Sequence, residues 1–169
     1  MRLIGITLSE SDRTGINNDS YLIMMELLTV PDSLNSLKAI ADYVMAAAAA
    51  AGLNKKASYK LRLAVDEIAT NIIVYGYKEA GHSGVLDLQA EFNEQTLTIS
   101  MEDTGVPYDS SQTEIPNDLN QPLEQRHIGG LGVYLAIHGV DKFIYERVGN
   151  RNRNIFVVNR TRITQAVIS

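Results

Sequence analysis

The apolar positions of this chain fall into blocks of two distinct periods, and the blocks predict its elements. Leu61 to Tyr77, LRLAVDEIATNIIVYGY, places Leu61, Val65, Ile68 and Ile72 at the i, i+4, i+7, i+11 spacing of a core-facing helix. A helix is therefore predicted from about Lys55 to Glu79, with Gly81 as its stop. An earlier helix carries Leu34, Leu37, Ile40, Ala41, Val44 and Ala48 on one side, with Asp32 or Ser33 as N-cap and Gly52 as C-terminal stop. Its Ala46 to Ala51 run favours helix and permits close packing.

Period two marks the strands. Val85 to Phe92 and Thr96 to Asp103 alternate around a short NEQ connection, with Leu86, Leu88, Ala90 and Phe92 on one face and Asp87, Gln89 and Glu91 on the other. Tyr21 to Val30, YLIMMELLTV, is almost continuously apolar and ends at Pro31, which predicts a strand buried on both faces. Asp141 to Val148 and Asn154 to Asn159 predict a closing hairpin around GNRNR, and 161–169 is a C-terminal tail. Residues 1–20 combine a possible short strand, Met1 to Leu8, with the polar stretch SESDRTGINNDS, so they form an N-terminal arm or an extra strand. The order of elements predicts an α/β (α+β) fold. Three helices cover one face of a mixed, mostly antiparallel sheet in a two-layer α/β sandwich, with one domain over 21–160.

Composition narrows the function classes. The chain has 169 residues, 45% hydrophobic and 21% charged, as expected of one soluble domain. A net charge of −5 argues against nucleic acid as a direct partner, because that affinity is supplied by clustered Lys and Arg. Absence of cysteine excludes disulfides and thiolate chemistry, and no apolar run reaches the roughly 18 residues of a membrane span. The N-terminus lacks a signal-peptide pattern, so a cytoplasmic protein away from the membrane is expected.

The candidate chemistry interrupts the apolar pattern. Glu67 and Asn71 stand one turn apart on one helix face, hard beside the apolar stripe. Asp103 has the inward parity of Leu97, Ile99 and Met101, so its carboxylate points to the covered face and needs a partner there, or caps the turn at Thr104 and Gly105. Val106 to His127 is a polar loop too long for an ordinary connection. Gly129, Gly130 and Gly132 then lead into a helix that ends near Gly139, an arrangement that admits an anion or makes a tight turn. His82, His127 and His138 do not cluster, which argues against a metal site built on histidine.

Together these motifs resemble the GHKL ATPase superfamily, and within it the bacterial anti-sigma-factor serine kinases of the RsbW and SpoIIAB type. The Glu-x-x-x-Asn helix is Glu67 and Asn71, Asp-x-Gly-x-Pro is Asp103, Gly105 and Pro107, continuing to Asp109, and GGLGVYL of 129–135 is followed by Asp141. The resemblance covers about Tyr21 to Arg160 and implies a Bergerat-type ATP-binding fold with ATP and Mg²⁺ as cofactors. It implies Glu67 as general base, Asn71 as Mg²⁺ ligand and Asp103 as acceptor for the adenine amino group. Gly105 would admit the base, and Gly130, Leu131 and Gly132 would donate backbone bonds to phosphates. Asn154 would reach adenine through water, and 106–127 would be the lid. Two departures stand out, Val74, Tyr75 and Gly76 after the Asn and His127-Ile128 before the glycines, where the family often has basic or glycine-rich sequence.

The function implied is a serine-protein kinase that phosphorylates a STAS-domain anti-sigma antagonist and sequesters a sigma factor, as a homodimer. The alternative is a nucleotide-gated binding module that transfers no phosphate. A sensor histidine kinase is disfavoured, since no helical dimerisation segment with a phosphorylatable histidine is present in the sequence.

Overall fold

The computed structural model describes residues 3–8, 21–112 and 131–160. Its strands are β1 (Leu3–Leu8), β2 (Tyr21–Met25), β3 (Leu28–Pro31), β4 (Val85–Phe92), β5 (Thr96–Asp103), β6 (Lys142–Val148) and β7 (Arg151–Asn159). The helices are α1 (Leu37–Ala50), α2 (Lys55–Asn71) and α3 (Leu131–His138). The sheet runs β1-β2-β4-β5-β7-β6 with β3 also on β4, and every described pairing is antiparallel. The α+β class with a mostly antiparallel sheet and three helices is thus as expected. Residues 9–20, 113–130 and 161–169 lie outside the described residues, so the expected tail and most of the long loop do too.

The period-two pattern works because one sheet face is covered. Leu86, Leu88, Ala90, Leu97, Ile99, Met101 and Phe156 are all fully buried against the helices, while the residues that alternate with them face outward. Ile40, Val44, Ala47 and Ala48 of α1 meet Leu61, Ala64, Val65 and Ile68 of α2 in the same core. The alanines leave room for the two helices to approach closely, and each large side chain removed from water there is worth about 1.5–3 kcal/mol. Asn54 caps α2, its Oδ1 accepting from Ala57 N at 2.8 Å.

Four expectations need correction. The run Tyr21 to Val30 is two strands, not one buried on both faces, and breaks at Glu26 and Leu27, both exposed. A charge cannot lie in a doubly buried strand, so the chain bulges there. The gap is filled by side chains: Ala90 N donates to the Tyr43 hydroxyl at 2.9 Å, and Gln89 Nε2 donates to Met25 O at 2.6 Å. Leu34 is not on the core face of α1 but exposed in a 3₁₀ turn, Leu34–Ser36, which Ser33 caps. The second helix is α-helical only to Asn71 and continues to Lys78 as a π-helical segment, Ile72–Lys78. Finally, β7 begins at Arg151, and the hairpin turn is only Gly149 and Asn150. Residues 3–8 form a strand on β2, the extra strand considered for the N-terminus.

Candidate functional site

A cleft of about 610 Å³ opens between the C-terminal part of α2, the end of β5, and the start of α3. Glu67, Asn71, Asp103, Gly132 and Asn154 line it together, although they are scattered over 88 positions of sequence, from residue 67 to residue 154. Gly105 sits directly behind the wall. Leu131 begins α3 next to Gly132, and Gly130 lies outside the described residues.

Asp103 forms the floor. Strand parity turns it inward, where it is 1% exposed. Its Oδ1 accepts from Gly105 N at 2.8 Å and from Asn152 Nδ2 at 2.8 Å. The turn-capping role and the inward-facing role are therefore both filled by one side chain. Oδ2 is buried with no hydrogen-bond partner. Burial pushes the Asp103 carboxyl above the usual range, outweighing the Asn152 and Gly105 bonds and the charges of Arg151 and Arg147. A buried acceptor left unmatched costs about 1–3 kcal/mol. Asn154, across from Met101, holds a second buried acceptor without a partner, Oδ1.

Asn152 carries no mark of a site in the sequence, where it falls inside the GNRNR turn signal. It is 2% exposed and stands opposite Asp103 in the β5–β7 register. Its amide nitrogen bridges Asp103 Oδ1 and Gly105 O, at 2.8 and 3.0 Å. Its Oδ1 accepts from the Tyr145 hydroxyl at 2.9 Å and from Arg147 Nη1 at 2.7 Å. This bracing fixes the Asp103 carboxylate with Oδ2 as its free corner. The available signal was parity, since Asn152, Asn154, Phe156 and Val158 alternate with outward residues.

Two glycines make the cleft possible. A Cβ on Gly105 would come within 2.9 Å of the Gly76 carbonyl oxygen and 3.1 Å of Asp103 Oδ1, so the loop after β5 could not close on the π-helical turn. That contact carries a backbone bond from Val106 N to Gly76 O at 3.1 Å. A Cβ on Gly132 would meet Glu67 Oε2 at 2.8 Å, so the Glu67 carboxylate rests against the α3 backbone. π-Helical segments occur frequently at functional sites. Here the segment follows Asn71 directly and brings Tyr75 and Gly76 to the cleft wall. Tyr77 anchors it: its hydroxyl accepts from Thr104 N at 2.9 Å and donates to Val85 O at 3.1 Å.

Other candidates settle into structural roles. Asp141 Oδ2 accepts from Asn159 N at 2.7 Å, and Asp109 closes a local turn with Ser111. His138 Nδ1 bonds with Tyr134 O at 2.8 Å and its ring stacks on Tyr134. Among the described residues no group of three or more His, Asp or Glu could hold a metal ion. The described helices include none long and apolar enough to cross a membrane.

These features test what ligand the cleft fits. Two buried acceptors without donors, Asp103 Oδ2 and Asn154 Oδ1, suit a planar group that brings N–H donors, as an adenine amino group does. The first-turn N–H groups of α3 at Leu131 and Gly132 have no intrahelical partner and suit phosphate oxygens. Asn71 offers one hard amide oxygen, too little to hold Mg²⁺ alone but sufficient beside phosphate oxygens and water.

A helix-covered antiparallel sheet with such a floor and a glycine-led helix at the rim has the layout of an α/β-sandwich ATPase domain. Residues 30–157 match the histidine kinase-like ATPase domain family, and the chain belongs to it. It is also similar to the serine-protein kinase RsbW of Staphylococcus aureus (strain MSSA476), 29% identical over 92 residues, 52% of this chain and 58% of that protein. With the serine-protein kinase RsbW of Bacillus cereus (strain G9842) it is 35% identical over 78 residues, 44% of this chain and 48% of that protein. The chain thus spans about half the length of the curated relatives it matches.

Proposed function

We propose that this chain binds Mg-ATP in the cleft and acts as a serine-protein kinase of the anti-sigma type. The observation that carries the reading is the braced, desolvated Asp103 with its unmatched Oδ2, in one cleft with Glu67 and Asn71. In this reading Asp103 selects the base and Asn71 shares the metal with the phosphates. Gly130, Leu131 and Gly132 present backbone donors, and Asn154 completes the base contact. Bound Mg-ATP supplies a phosphoryl group whose charge is partly neutralised, so the protein's task is mainly positioning. Glu67, held against Gly132 at the rim, orients and deprotonates an incoming serine hydroxyl. The proposed acceptor is a STAS-domain anti-sigma antagonist. Sequestration of a sigma factor and a homodimeric state belong to the same proposal by family resemblance, while the names of the relatives support its serine-protein kinase part.

Titration calorimetry with ATP and Mg²⁺, followed by transfer of labelled γ-phosphate to the STAS protein encoded nearest in the genome, tests it. Mg-dependent ATP binding with serine labelling is the expected result. Light scattering at tens of micromolar, with and without ATP, checks the dimer. One observation favours the second reading, a nucleotide-gated binding module: the turn after Asn71 presents Val74, Tyr75 and Gly76 where a terminal phosphate would call for a cation, and the basic residue of the segment comes only at its end, Lys78. Tight ATP binding without transfer to any serine would select that module.

A further inference from the structure

α2 reaches the cleft at Glu67, but two turns earlier the same side of the helix is not core. Lys56, Lys60, Leu63 and Glu67 follow the i, i+4, i+7, i+11 spacing of a single stripe, with Tyr59 at its flank. Tyr59 is 61% exposed and Leu63 39%. Across the seam, Gly139 packs at Lys60 Cβ as Gly132 packs at Glu67, so α3 runs antiparallel to α2 and Leu135, 55% exposed, lies level with Leu63 and Ala64. The result is an apolar strip of Tyr59, Leu63 and Leu135 that ends at the base of the site.

Charge along this strip is one-sided. Lys55, Lys56 and Lys60 are exposed and have no ion pair among the described residues, while Arg62 is engaged with Asp66 at 3.3 Å. Lys55 and Lys56 stand in the first turn of α2, which has no acidic residue. Cations there oppose the helix dipole, and the first turn holds no acidic residue to offset them. A chain with net charge −5 has thus gathered uncompensated cations around exposed aromatic and aliphatic side chains, on the helix that carries Glu67. A local rule broken without a structural gain marks a surface kept for something else.

We propose that the Lys56, Tyr59, Lys60 and Leu63 face of α2, extended by Leu135, docks the phosphate-accepting protein through an acidic segment of it that carries an apolar side chain. The proposal rests on the kinase reading for the nature of the occupant. Lys60 and Glu67 are seven positions apart, so a segment seated on the lysines lies about 10 Å along the helix from the catalytic carboxylate. Acidic residues of the partner would fix its register on the lysines, and the apolar contact at Leu63 would carry the buried part of the interface.

The test places the photo-cross-linker p-benzoylphenylalanine at position 63 of the full chain, in the organism's own cells, with position 94 in the exposed β4–β5 turn as control. Mass spectrometry maps the adduct. The expected result is an adduct specific to position 63, on an acidic segment of a protein that also offers serine or threonine. That protein, purified, should bind the Lys56→Glu/Lys60→Glu double variant on the order of tenfold more weakly than wild type, with a reduced salt dependence. Mg-ATP affinity of the variant should be unchanged, which shows it folded. No adduct above the position 94 control would overturn the proposal. So would an adduct to lipid, to residues 1–20 or 161–169 of the same chain, or to a basic segment, and so would unchanged partner affinity after charge reversal. Failure of phosphoryl transfer to a partner that docks as expected would count against the kinase reading and leave the docking face standing.

Discussion

Glu102 and Asp103 are consecutive residues of β5, and one step of register gives them opposite fates. Glu102 faces outward and accepts from Arg153 Nε at 2.6 Å and from Arg151 Nε at 2.7 Å. Arg151 continues to Asp87 at 2.5 Å and Arg153 to Glu146 at 2.9 Å, so the charges form a ladder across β4, β5, β7 and β6. Burial alone would raise the Glu102 carboxyl, but the arginine bonds and charges together hold it below its ordinary range. For Asp103 the balance reverses, and burial outweighs the bonds from Asn152 and Gly105. The outer carboxylate is matched by its own sheet. The inner one is half matched at a cost in folding stability, as the proposed ligand contact at Oδ2 would require.

Glu67 extends the comparison to a third carboxylate, one that rests on backbone and bonds to no described side chain. The largest effect is expected there. Glu67→Gln keeps the shape and removes the base, so transfer should fall by roughly a hundredfold or more while Mg-ATP affinity stays within a few-fold. Asn71→Ala should lose Mg²⁺-dependent binding and transfer together. Labelled-phosphate transfer beside calorimetry separates the two, and a wild-type rate in Glu67→Gln would remove the base from the mechanism.

Next in size is the inner member of the β5 pair. Asp103→Asn should weaken ATP by about ten- to a hundredfold, or roughly 1.5–3 kcal/mol, whereas Glu102→Gln should leave ATP affinity unchanged. The linkage has a sign as well. With its folded pKa raised, the contribution of Asp103 to stability is complete below the unfolded carboxylate pKa of about 3.9 and is lost as pH rises through the folded value. The melting temperature of ligand-free wild type relative to Asp103→Asn should therefore fall from acid to neutral pH. Equal loss of ATP in both variants would collapse the distinction between the two faces.

Asn152→Ala probes the brace. It leaves Asp103 Oδ1 with Gly105 alone and strips Tyr145, Arg147 and Gly105 O of a partner, so destabilisation of about 1–3 kcal/mol is expected. ATP affinity should drop with it, because the carboxylate loses its fixed orientation. Unchanged affinity in a folded Asn152→Ala protein would show that Asp103 holds its place unaided.

How far these contrasts could be read in advance depended on which signal each residue gives. Asp103 was legible because parity along an unbroken strand fixes its face, and the apolar stripe of α2 fixed the side of Glu67 and Asn71 in the same way. Asn152 was hidden because it falls with Asn150 in the GNRNR run that starts at Gly149 and has turn composition, although Asn152 and Asn154 keep strand alternation. The break at Glu26 was hidden inside an apolar run whose single charge was outvoted. The π-helical turn has no periodic signature over seven residues, and the closure of Gly105 on Gly76 is a contact between segments that no local pattern encodes. The arginine ladder was likewise a product of register, since Glu102 meets Arg153 only when β7 starts at Arg151.

The smallest effect belongs to that ladder. Glu102→Gln removes one charge from a network whose side chains are about a quarter to two-fifths exposed, and exposed ion pairs are worth little, so a loss of about 1 kcal/mol or less is expected at pH 7. In a domain of this size that is a fall of roughly 2–4 °C in Tm at most. Its pH dependence runs opposite to that of Asp103. Because the folded pKa of Glu102 lies below its unfolded value, its contribution is present above an unfolded pKa of about 4.3 and is lost as pH falls through the folded one. The gap in Tm between wild type and Glu102→Gln should therefore close on acidification, while the wild-type advantage over Asp103→Asn grows. Thermal melts of the three proteins from pH 3 to 7 read both slopes at once. Parallel slopes would mean that the two neighbours share one electrostatic environment, and the division of β5 into a structural face and a ligand face would fail.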